Sequence, residues 1–202
     1  MNSKKEIMTL IEKHVQTADS FFERLEFEKA AEEYSRARHL YHVLFVDERD
    51  EDAQYMEKEI ELFQKIGDCY HELNTAESNE DAKYEYFKSL VFSEWAIRAR
   101  DIKMDKTISR IWYKIGLFDF QNGNLELAEK HFLEAFEVYK KLIIVDFKEY
   151  YVCYSNTAEM LSRVYFAVGD DAKGATYKAI SINTLNTFKQ LSGSSEDDKE
   201  GK

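Results

Sequence analysis

The strongest constraint on how this chain folds is a set of small residues that returns at a nearly fixed interval: Ala18, Gly67, Gly116 and Ser162, spaced by 49, 49 and 46 residues. Three residues after each stand Phe21, Tyr70, Asp119 and Tyr165. A second set of small residues, Ala30, Ala82, Ala128 and Gly174, is followed four residues on by Tyr34, Tyr86, Phe132 and Lys178, and seven on by Ala37, Ser89, Ala135 and Ser181. Offsets of three, four and seven place side chains on one face of an α-helix. Each unit therefore reads as two helices, with small residues where their backbones approach and an aromatic ring beside them. The fourth unit decays at its second helix, where Lys178 replaces the ring. The complete absence of proline, with only seven glycines, removes the punctuation that β-sandwiches and barrels need, so the chain is expected to be all-α. Helices are predicted at about 3–23, 27–47, 52–74, 80–100, 105–122, 125–145, 148–168 and 171–190. Ser78 or Asn79 is expected to cap the fourth helix and Asn124 the sixth.

The clearest unit is residues 109–141, SRIWYKIGLFDFQNGNLELAEKHFLEAFEVYKK. It holds Trp112, Ile115, Gly116, a Gly123-Asn124 turn, Ala128, Phe132 and Ala135. This segment resembles a tetratricopeptide repeat, with Asp119 where that family usually has Tyr. The period exceeds the family's ~34 residues and the closing proline is absent, so these are divergent, elongated copies. The resemblance implies a right-handed α-solenoid of about four antiparallel helix pairs, eight helices in one domain over 3–191. Trp112 is expected in the core beside Gly116.

The same resemblance implies that the first helix of each unit lines a concave groove. Carried onto this sequence, the groove positions are Glu12, Val15, Gln16, Asp19, Phe22 and Glu23 in the first unit, and Glu61, Gln64, Lys65, Asp68, His71 and Glu72 in the second. The third supplies Arg110, Tyr113, Lys114, Leu117, Phe120 and Gln121, and the fourth Asn156, Glu159, Met160, Arg163, Phe166 and Ala167. Tyr113, Leu117, Phe120 and Phe166 are apolar groups that a partner would be expected to cover. Arg110 and Lys114 match a basic pair used by members that clamp acidic chaperone tails. Val15, Asp19 and Lys65 stand where the remaining clamp residues belong, so the full clamp is missing.

Charge narrows the partner class. Residues 1 to 101 hold 24 acidic and 14 basic side chains, a net of −10, out of −11 for the whole chain of 202 residues. Such a field repels nucleic-acid phosphates and anionic lipid, so neither a nucleic acid nor a membrane is expected as a partner. A basic partner suits the front half. The first residues mix Glu12, Lys13 and His14 into their apolar positions, unlike a signal peptide, and no stretch is apolar enough to span a bilayer, so a cytoplasmic location is expected. The segment from Ser192 to Lys202 is charged and Gly/Ser-rich and reads as a disordered acidic tail.

Chemistry-bearing patterns are sparse. The chain has no HExxH, Walker loop, GxGxxG or GxSxG. His39 and His42 lie one turn apart without a further ligand, and the Asp68/His71 pair lacks the inward glutamates of a bundle metal site. Cys69 and Cys153 fall among apolar neighbours and read as buried thiols. No catalytic residue, metal or cofactor is expected. The sequence thus points to a non-enzymatic scaffold that binds a protein or peptide. The alternatives are a ligand-sensing regulator of a short signal peptide, resembling bacterial quorum-peptide receptors, and an enzyme with an unfamiliar helical site. Such receptors carry a DNA-binding or phosphatase module, which neither the first eleven residues nor those after 191 resemble. A homodimer through the ends of the solenoid stays open.

Overall fold

In the computed structural model, residues 2–48, 53–100 and 105–193 are described. They form α1 (Asn2–Glu23), α2 (Phe27–Glu48), α3 (Ala53–Leu73), α4 (Ala76–Arg100), α5 (Asp105–Gln121), α6 (Leu125–Val145), α7 (Phe147–Ala167) and α8 (Asp171–Gly193), with no strand among the described residues. The chain divides into two compact units, Met1–Met104 and Asp105–Lys202. In the first, α1 packs on α2, α2 on α3 and α3 on α4; in the second, α5 packs on α6, α6 on α7 and α7 on α8. No described helix is long and apolar enough to cross a membrane.

The repeat has a backbone signature at its turns. Leu25, Asn74, Gly123 and Gly169 all adopt positive φ, of 61°, 50°, 75° and 82°. Each lies seven residues after the small residue of its unit, after Ala18, Gly67, Gly116 and Ser162 respectively. In three of the turns two backbone bonds close the first helix in the same way. Glu26, Asn124 and Asp170 donate to Phe21, Asp119 and Tyr165, while Leu25, Gly123 and Gly169 donate to Phe22, Phe120 and Phe166. This is the Schellman arrangement, which satisfies carbonyls that a helix end would otherwise leave unpaired. Positive φ at the same position therefore marks all four turns, and three of them close with the same two bonds.

The small residues also do what their size suggests. A Cβ at Gly67 would lie 2.6 Å from the Tyr86 ring, and one at Gly116 would lie 2.7 Å from Phe132, so each glycine lets its partner helix press an aromatic ring against the backbone. The fourth pair inverts this arrangement. Its glycine, Gly174, is on the second helix, and the ring that a Cβ there would meet, at 2.8 Å, is Phe166 of the first. Ser162 donates to the Gly174 carbonyl at 2.8 Å, so the backbones still approach. The decay at Lys178 is thus compensated from the opposite helix.

Several expectations need correction. α4 starts at Ala76, four residues before the predicted 80, because the cap is Thr75. The Ser78 backbone N–H donates to Thr75 Oγ1 at 3.1 Å and the Thr75 N–H donates to Ser78 Oγ at 2.9 Å, a reciprocal capping pair. Asn124 occupies the cap position of α6 but makes no side-chain capping bond. Trp112 is only half-buried and lies flat on His131, with centroids 5.2 Å apart, while Ile111 and Ile115 on either side are fully buried. The α-helical advance of 100° per residue turns Trp112 to the flank of the core. Cys69 is buried and its pKa is pushed up to about 12, by burial first and then by the Asp68 charge, whereas Cys153 is half-buried; both thiols are free. Ser192 and Gly193 belong to α8, and the remainder of the expected tail lies outside the described residues.

Candidate functional site

The first unit contains a groove of about 410 Å³ between α1 and α3. Met8, Ile11, Glu12, Val15 and Gln16 line it from α1, Lys58, Glu61, Leu62 and Lys65 from α3, and Tyr41 from α2. These residues recur every three or four positions on each helix, which is why two helices side by side present one continuous trough. Ile11, Leu62 and Tyr41 are buried and belong to the core of the unit with Ala18, Tyr34 and Ile66, so the floor is apolar and rigidly backed. Glu12 and Gln16 are exposed, and Val15 and Glu61 half-buried.

Two ion pairs sit on the rim. Lys58 Nζ donates to Glu61 at 2.9 Å, a bond that raises the Lys58 pKa above its ordinary value. Lys65 Nζ donates to Asp19 Oδ1 at 2.8 Å, joining α3 to α1, and lies 5.0 Å above the Tyr34 ring. Burial pushes the Asp19 pKa up, but the hydrogen bonds from Lys65 and Tyr34, with the Lys65 charge, outweigh it and hold the carboxyl below its ordinary value. One turn beyond Lys65, Asp68 accepts the Tyr86 hydroxyl at 2.7 Å. Asp19 takes the Tyr34 hydroxyl from the equivalent position of the preceding pair. This Asp–Tyr bond is thus a second feature repeated between the pairs.

The predicted site residues fall into three groups. Glu61 lines the groove and Asp68 lies just past its end. Gln64, also expected there, is buried. In the second unit Tyr113, Leu117 and Phe120 pack against a cluster containing Phe132, Phe136, Leu161 and Val164, with the Tyr113 ring 5.7 Å from that of Phe132. Their own core covers them in part. Arg110 is exposed and Lys114 half-buried on the same helix.

On α7, Glu159 accepts from Lys178 at 2.7 Å and from Arg163 at 3.4 Å; the Lys178 bond leads in holding its pKa down. Phe166 is 45% exposed, with its ring laid over Gly174. The second-unit candidates therefore form a core flank, an ion-pair cluster and a helix-packing ring. The sequence reading missed Met8, Ile11, Tyr41, Lys58 and Leu62. Extending the one-turn spacing from Glu12, Val15, Glu61 and Lys65 would have found four of these, but Tyr41 comes from a second helix and had no signal.

Elsewhere, a cavity of about 440 Å³ is lined by Phe136, Tyr154, Tyr165, Tyr177, Lys140 and Lys173 among others. Its rings stack on one another, Phe136 on Tyr154 at 4.8 Å and Tyr165 on Tyr177 at 5.4 Å, and so use their faces internally. His42 faces Glu59 at 3.4 Å, and no group of potential ligands among the described residues is placed to hold a metal.

No family model matches the sequence, and no curated protein matches it. Solved structures match the fold. BtubC from P. vanneervenii superimposes with a TM-score of 0.73 at 16% identity, over 91% of this chain and 66% of that one. The Rap conjugation gene regulator of plasmid pLS20, in complex with the Phr* peptide, gives 0.60 at 20% identity, over 90% and 43%. Aspartyl phosphate phosphatase F from Bacillus subtilis gives 0.69 at 15%, over 88% and 41%. The chain thus spans less than the full length of each of these proteins, and under half of the last two. Identities this low speak for the fold alone: the chain has the all-α helical-repeat solenoid fold of TPR-like proteins.

Proposed function

We propose that this chain is a non-enzymatic binding scaffold whose groove between α1 and α3 takes a peptide or an extended segment of a protein. One observation carries the reading: the groove of about 410 Å³ has an apolar floor and a polar rim, built on the first helices of two successive pairs. Apolar area supplies the binding energy, and the few placed polar groups fix orientation. The TPR-like fold supports the same reading, since the pLS20 Rap regulator was solved with a peptide bound. That complex also favours a second reading, in which the bound peptide is a signal and binding alters the protein. Arg110, Lys114, Glu159, Arg163 and Phe166 on the second unit are proposed as partner contacts in their own right, separate from this groove.

The test is selection from a random-peptide library with the purified chain. Peptides recovered should bind at least about tenfold more weakly, ~1.4 kcal/mol, to Val15→Glu and to Gln16→Trp, which respectively charge and fill the groove. Glu77→Ala, on the exposed surface of α4, should leave affinity unchanged. Recovered peptides that bind both groove variants as tightly as the parent protein would place the site elsewhere. A recovered peptide should also raise the melting temperature by mass action.

A further inference from the structure

The lysines of this groove are held in ion pairs of the protein itself while a rim carboxylate is not, and that difference specifies what can sit in it. Lys58 is engaged by Glu61 of the lining and Lys65 by Asp19 beside it, so both lysines of the lining are already neutralised. Glu12, exposed on the α1 rim, has no ion pair among the described residues. Neither has Glu72, exposed one turn past Asp68 on α3. The unit around them is itself acidic, with a net of −10 over residues 1 to 101. A ligand that packs its apolar side chains against Met8, Val15 and the edge of Tyr41 brings its flanks within a few ångströms of Glu12. At that range a carboxylate in partly desolvated surroundings is screened far less than one in open solvent. An acidic segment would meet uncompensated like charge. A neutral one would leave Glu12 without a counter-charge beside newly buried apolar surface, a cost that a lysine or arginine removes.

Resting on the groove reading above, we infer that the α1–α3 groove selects a segment carrying lysine or arginine beside apolar anchors. Glu12 is the specificity-determining carboxylate. Glu72 extends the acidic rim for a longer ligand. The internal pairs Lys58–Glu61 and Lys65–Asp19 sharpen the choice, because they hold the protein's own cations away from a ligand's carboxylates.

Three synthetic probes of equal length, with leucine at helical spacing and the other positions Lys, Gln or Glu, decide it by fluorescence anisotropy. The Leu/Lys probe is expected to bind at least tenfold more tightly than the Leu/Glu probe, and to weaken as salt is raised. Glu12→Lys should abolish or reverse that preference. Glu77→Lys, the same charge change on exposed α4, should leave it in place, which separates the groove from the general acidity of the surface. Equal or tighter binding of the Leu/Glu probe overturns the inference while leaving the groove reading standing. So does a Leu/Lys preference that Glu12→Lys does not change. Failure of all three probes, together with an empty library selection, overturns the groove reading and this inference with it.

Discussion

Glu59 is only 3% exposed, on the α3 face that meets α2, with His42 Nδ1 at 3.4 Å and an Arg38 nitrogen at 3.7 Å from its Oε1. Burial raises its pKa above the ordinary value of 4.5, and the opposing charges of His42 and Arg38 do not undo this. A raised carboxyl pKa means that the folded state holds the proton more tightly than the unfolded chain does. Its contribution to stability is therefore complete below the unfolded value and is lost as pH rises through the folded one. Asp19 has the opposite sign: its depressed pKa stabilises above the ordinary carboxylate range and loses that contribution in acid. Glu59→Gln should accordingly raise the melting temperature at pH 7.5 by a few degrees, and by less at pH 4.5. A melt pair that shows a constant difference at both pH values would contradict this assignment. Asp119 shows how far sequence carries at this scale. Its departure from the family's Tyr was visible, but its partner was not: fully buried, it pairs with His131 at 2.7 Å under the Trp112 ring, twelve residues along the chain.

The four equivalent turns have one poor fit. Gly123 and Gly169 take positive φ with no penalty, while Leu25 holds φ 61° with a side chain that is 73% exposed and gives little packing in return. A non-glycine residue in this region costs ~1–2 kcal/mol. Leu25→Gly should therefore stabilise the fold by about 0.5–1 kcal/mol after the added freedom of the unfolded chain is counted, and Gly123→Ala should destabilise it by about 1 kcal/mol. Urea midpoints at unchanged m-value measure both. The helices themselves were legible from periodicity, to within a few residues at each end, because one face of each must be buried. The start of α4 was not. Thr75 and Ser78 satisfy each other's backbone donors, and which of several polar residues in a loop closes such a pair depends on where the chain enters the helix.

Each compact unit has its own core, the first built around Ile11, Tyr34, Leu62 and Ile66 and the second around Phe132, Phe136, Leu161 and Val164. Segments of about 100 residues bury enough surface to fold alone. Residues 1–104 expressed by themselves should thus melt cooperatively with a helical spectrum and keep the groove, as should residues 105–202 without it; non-cooperative melting of both would show that neither core suffices. The sequence by itself determined the class and the frame: small residues at a fixed interval dictate paired helices, while the turn seven residues after each became visible only in the backbone. Tertiary structure decided which face of each helix stays open. Tyr113, Leu117 and Phe120 had the spacing of groove residues, yet they flank a core, while Tyr41 reached the groove from a second helix. Periodicity gives the angle of a side chain about its own helix axis, whereas a cavity depends on the separation of two helices and on what fills the space between them.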